Sequence, residues 1–135
     1  MRLKAGASCF ELVSWHASFE NTQNNTMAKL YPKKAAFLND LVVRTLDLEV
    51  VFKRGYVDIA FAGFTSIKNV LPVMVPDLSY KGMAVANGTD AMESWIRLIN
   101  MPGGDEKNKL RQDMLKYCKL DTKAMVRTFE AVKAL

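Results

Sequence analysis

Apolar residues fall into short bursts at the start of this chain and into helical periods after it. Phe10-Glu-Leu-Val-Ser-Trp15 is mostly apolar and rich in β-formers, which predicts a buried strand. A polar break from His16 to Thr22 follows, then a helix through about Leu30. Pro32 interrupts the chain, and a second helix is predicted from about Lys33 to Arg44, with Ala36, Phe37, Leu41 and Val42 inward. Leu46 to Phe52 reads as a short strand or a helical turn, closed by Lys53-Arg54-Gly55. Ser66 caps a helix whose apolar positions are Ile67, Val70, Leu71 and Met74. Pro76 to Gly82 is a loop and Asn87-Gly88 a turn. Asp90-x-x-Glu93 has the form of a capping box, and Met92, Trp95, Ile96 and Ile99 draw a helical face that Pro102-Gly103-Gly104 ends.

The longest uninterrupted pattern comes last. From Lys109 to Leu135 there is no Gly or Pro, and Leu110, Met114, Cys118, Met125, Phe129 and Val132 share one helical stripe. At roughly 100° per residue, Asp121 projects within about 20° of Leu110 and Val132, in the middle of that stripe. A carboxylate on an apolar face is costly unless something pairs with it or binds it. Tyr117 lies one turn earlier on the same face, so its hydroxyl and the carboxylate can share one small space. Locally, two readings stand open: a working Tyr117–Asp121 pair on one helix, or Asp121 as the N-cap of a second helix that starts after Leu120.

The chain of 135 residues is sized for a single domain. Half of it is hydrophobic and 24% charged, an ordinary globular balance. No stretch approaches the roughly 18 apolar residues of a membrane span, and the run from Met1 to Glu11 is too short for a signal peptide. A cytoplasmic protein without membrane partners is expected. Cys9 and Cys118 stand far apart, which argues against a disulfide framework or zinc site; Cys118 reads as a small buried hydrophobe. A hydrolase built on Cys118 and His16 fits poorly, because nothing near Cys118 would activate its thiol. The net charge of +5 permits an anionic partner without establishing one. Lys116, Lys119, Lys123 and Arg127 lie opposite Asp121 and read as a solvated face.

Tyr117-Cys118-x-x-Asp121-Thr on a helix with a long apolar tail resembles the third motif of the DEDDy group of 3′–5′ exonucleases. It resembles still more an uncharacterised bacterial branch of that group, a domain of unknown function. His16-Ala-Ser-Phe19-Glu20 after a strand is similar to the second motif, with His16 where Asn is expected and Glu20 where Asp is usual. Asp47-Leu48, read as structural, then Ser66-Ile-Lys68-x-Val-Leu-Pro72 and Asn87-Gly88 with Ala91 match in order.

The resemblance implies an RNase H-like α/β fold, a mixed sheet with flanking helices, and two-metal hydrolysis of phosphodiesters in DNA or RNA. Glu20 and Asp121 would be ligands of Mg2+ or Mn2+, and Tyr117 would orient the attacking water. His16 and Lys68 are weaker candidates for substrate contacts, and Tyr56, Phe64, Tyr80 and Trp95 are either stacking surfaces or core. The first motif, Asp-x-Glu, has no counterpart: Glu11 is the only acid before Glu20. The expectation is therefore the C-terminal two-thirds of such a domain over residues 1–135, lacking its first strands. Three explanations stay open: a piece of a larger protein, a partner segment that supplies the missing strands, or a non-catalytic binding module with a degenerate nuclease fold. Self-association is expected from the sheet edge this would expose.

Overall fold

Strand and helix formers segregate along the chain, and the computed structural model, which describes residues 12–135, follows that segregation as a helix-rich α/β protein. The elements are β1 (Leu12–Ser14), α1 (Ser18–Leu30), α2 (Ala35–Arg44), β2 (Thr45–Asp47), α3 (Glu49–Arg54), α4 (Ile67–Met74), α5 (Gly88–Asn100) and α6 (Asp105–Lys133). Contacts cluster them into two compact units that meet in sequence between Asp58 and Ile59.

In the first unit β1 and β2 pair in parallel, with Leu12 opposite Thr45, Val13 opposite Leu46 and Ser14 opposite Asp47. Parallel pairing needs a crossover, and α1 and α2, which pack on each other, provide it. This is the only sheet among the described residues, where a mixed sheet was expected. Its strand β1 is half-exposed rather than buried; Phe10 and Glu11 of the expected strand lie outside the described residues. The core is aromatic: Leu48 and Phe52 are buried, Trp15 stacks on Phe52 at 5.5 Å, and Tyr56 meets Phe52 edge-on at 6.3 Å. Helix α2 turns Leu38, Leu41 and Val42 inward, whereas Ala36 and Phe37 face solvent. The 3-10 turn Pro32–Lys34 precedes the helix, which starts at Ala35 rather than at Lys33.

The second unit has its core where α4 meets α6. Leu71, Val75, Leu78, Tyr80 and Ala124 are buried together, and Ile67, Met74, Tyr117, Leu120 and Ala131 pack against them. Val70 and Leu71 are fully buried, each worth about 1.5–3 kcal/mol by removal from water. Ser66 takes the N-cap position of α4, but its hydroxyl donates to the Asn69 side chain at 2.6 Å instead of accepting from the backbone. Asn87 caps α5 by accepting from the Asp90 N–H at 2.8 Å, and Asp90 in return accepts from the Ala86 N–H at 3.2 Å. The reciprocal cap is thus Asn87-x-x-Asp90, one turn before the Asp90-x-x-Glu93 box expected from sequence.

Two expected faces are corrected. Helix α6 is continuous for 29 residues, so Asp121 is not an N-cap. Its buried edge runs through Tyr117, Leu120, Asp121, Ala124, Thr128 and Ala131, about 80° round from the predicted stripe, and Cys118 is exposed. Small side chains at Ala124, Thr128 and Ala131 let α4 approach, which the larger Met125 and Phe129 would not. On α5, Ser94 and Leu98 face inward, leaving Met92, Trp95, Ile96 and Ile99 each more than half exposed.

Candidate functional site

Tyr117 and Asp121 lie one turn apart, both half-buried on the inward edge of α6. The sequence reading missed their third member. The loop after α4 brings Tyr80 over α6, where its hydroxyl donates to Asp121 Oδ1 at 2.8 Å. The Tyr80 and Tyr117 rings lie 6.2 Å apart at 48°. A carboxylate this close to an apolar core is thus partnered on one oxygen, and Oδ2 accepts no hydrogen bond from any described residue.

Electrostatics fix the protonation of both rings. Burial first, then the hydrogen bond and charge of Asp121, push the Tyr80 hydroxyl far above the ordinary tyrosine value. Burial and then the Asp121 charge, with smaller contributions from Cys118 and Asp90, raise Tyr117 as well. Both are neutral donors at any working pH. Tyr117 gives its proton to no described residue, which leaves that hydroxyl able to orient a water or substrate oxygen beside Asp121.

Lys68 stands near this site within the second unit. It shares a cavity of about 280 Å3 with Lys81, Leu71, Pro72, Ser79, Tyr80 and Ala86, so the wall that carries Tyr80 also carries two exposed lysines. Arg127, read as part of a solvated basic face, instead makes a two-pronged contact with Asp77 at 3.3 and 3.4 Å. Of the candidate stacking aromatics, Tyr80 is buried and Tyr56 half-buried, whereas Phe64 and Trp95 are more than half exposed.

Glu20 and His16 belong to the first unit. Glu20 sits exposed in the first turn of α1, where the helix dipole favours an acid, and bonds to no described residue. His16 follows β1 by two residues and has a φ of 61°, a left-handed conformation that Asn and His tolerate better than most residues. Its N–H donates to Asp47 Oδ1 at 3.0 Å, and the Glu49 N–H donates to the same oxygen at 3.1 Å. Asp47 therefore has the structural role read from sequence.

A second polar cluster builds on this link at the carboxyl ends of the parallel strands. The buried Glu49 carboxylate meets His16 Nδ1 at 2.9 Å and Lys53 Nζ at 2.7 Å through Oε2. Sequence reading passed over Glu49 because its neighbours placed it inside an apolar run. The Lys53 charge compensates the buried carboxylate, so the cluster ties strand ends together and does not present an open ligand set.

No group of three or more His, Cys, Asp or Glu side chains suited to a metal ion exists among the described residues. Asp121 offers one uncommitted oxygen in the second unit, and Glu20 carries an exposed carboxylate in the first. No helix among the described residues is long and apolar enough to cross a membrane.

Residues 3–66, just under half of the chain, match the model of a family described as "Domain of unknown function (DUF2779)". That stretch contains His16, Glu20 and Asp47 and stops short of Tyr117 and Asp121. No curated protein and no solved structure matches the chain.

Proposed function

We propose that this chain is an RNase H-like, DEDDy-type nuclease segment, serving 3′–5′ exonucleolytic cleavage of DNA or RNA. One observation carries the reading: Tyr117 and Asp121 of the Tyr-x-x-x-Asp motif share the inward edge of one helix, with one Asp121 oxygen held by Tyr80 and the other uncommitted. Similarity of the first half to a domain of unknown function accords with the uncharacterised branch that the motifs resemble. In this reading Asp121 and Glu20 contribute carboxylates to Mg2+ or Mn2+, Tyr117 orients a water, and Lys68 and His16 touch substrate. A bound divalent ion would supply charge stabilisation at the phosphate. Self-association belongs to the reading too, and the exposed Met92, Trp95, Ile96 and Ile99 face supports it.

End-labelled single-stranded DNA and RNA incubated with manganese test it. Laddered products with the native chain that vanish with Asp121→Asn are expected; Asn keeps the acceptor for Tyr80 and preserves shape. A ladder unchanged by Asp121→Asn would refute the assignment. The exposed Lys68 and Lys81 beside Tyr80 also suit a second reading, a binding module with the nuclease fold and no catalysis. It predicts nucleic-acid binding without metal dependence and without products.

A further inference from the structure

The end of α1 and the start of α2 enclose a cavity of about 730 Å3 in the first unit, lined by Met27, Tyr31, Lys33, Lys34, Phe37 and Leu38 among others. Its two aromatic rings are not core: Tyr31 is 55% and Phe37 59% exposed. Lys33 and Lys34 make no ion pair with any described residue. No Asp or Glu occurs from position 21 to 39, and Lys29 adds a third positive charge on the last turn of α1. Open aromatic faces beside uncompensated lysines are costly to keep on a surface and are what a chain of bases and phosphates requires.

We propose that this groove holds a single strand of nucleic acid, with bases stacked on Tyr31 and Phe37 and the adjoining phosphates met by Lys33 and Lys34. The choice of ligand rests on the nucleic-acid reading above; the groove itself does not depend on Asp121. Aromatic stacking needs unpaired bases, so a duplex should bind worse than a strand. An anionic lipid or an acidic peptide could use the charge but has no systematic call on two exposed ring faces.

Fluorescence anisotropy of labelled oligothymidylate and oligoadenylate in EDTA tests the proposal without any cleavage. Tyr31→Ala and Phe37→Ala should each weaken binding about tenfold and leave its salt dependence unchanged. The Lys33→Gln/Lys34→Gln double variant should weaken binding and reduce the slope of log K against log salt by about 1.4, about 0.7 for each lost phosphate contact. All four positions are solvent-exposed, so circular dichroism should report native helix content. Native-like binding by these variants, equal affinity for duplex, or binding to anionic vesicles or an acidic peptide with none to oligonucleotides would each overturn it. Binding is read in EDTA and cleavage in manganese, so loss of cleavage in Asp121→Asn and loss of binding in these variants are separately readable.

Discussion

At the scale of single residues, the Asp121 site combines a partnered carboxylate with two tyrosines that resist ionisation. Because Tyr80 and Tyr117 are raised in the folded state, folding holds protons that the unfolded chain gives up above about pH 10. Their contribution to stability is complete below that pH and is lost as pH rises beyond it. Urea melts from about pH 8 to about pH 11 should show that decline, and Tyr80→Phe should flatten it while costing about 1 kcal/mol at neutral pH through the lost hydrogen bond. A decline of equal steepness in the variant would contradict the assignment. Thr128 gives a prediction of opposite sign. It is fully buried on α6, and its hydroxyl has no hydrogen-bond partner among the described residues. Thr128→Val removes an unsatisfied polar group with little change of shape, so stability should be unchanged or rise by about 1 kcal/mol, read from the denaturation midpoint. Tyr117 and Asp121 were legible in sequence because a four-residue helical spacing fixes their relation. Tyr80 was not, since it lies 41 positions away and only the folded loop brings it over α6.

Helices were easier to place than to orient. The end of α1 at Leu30 falls where expected, because Pro32 bounds the helix, whereas its start at Ser18 takes in most of the His16–Thr22 stretch that was read as a polar break. The faces of α5 and α6 were misjudged for one physical reason: the largest apolar residues were assumed to point inward. On α6 the closest packing goes to small residues, Ala124 and Thr128, since helices approach where side chains are short. On α5 the consequence is sharper. Trp95→Lys or Ile99→Lys should shift stability by less than about 0.5 kcal/mol, whereas Leu98→Ala, at a buried position, should cost about 2–5 kcal/mol. Equilibrium denaturation at dilutions where the chain is monomeric separates the two cases, and a large loss from Trp95→Lys there would contradict the exposure of this face.

At the scale of the whole molecule, the helix-rich α/β class was legible, from a strand, an apolar strand-or-turn segment and several helical periods. The mixed sheet implied by the resemblance was not, because two three-residue strands are all the sheet that the described residues contain. The nuclease proposal accordingly stands on a motif in the second unit, and the family similarity in the first half of the chain names no activity. Metal binding is where the catalytic and the binding-module readings diverge most directly. Titration of Mn2+ followed by electron paramagnetic resonance would decide it, comparing the native chain with Asp121→Asn and with an Asp105→Asn control in the exposed first turn of α6. The account predicts bound manganese in the native chain and in the control and its loss in Asp121→Asn. Manganese binding that is absent from all three, or indifferent to Asp121, would contradict it.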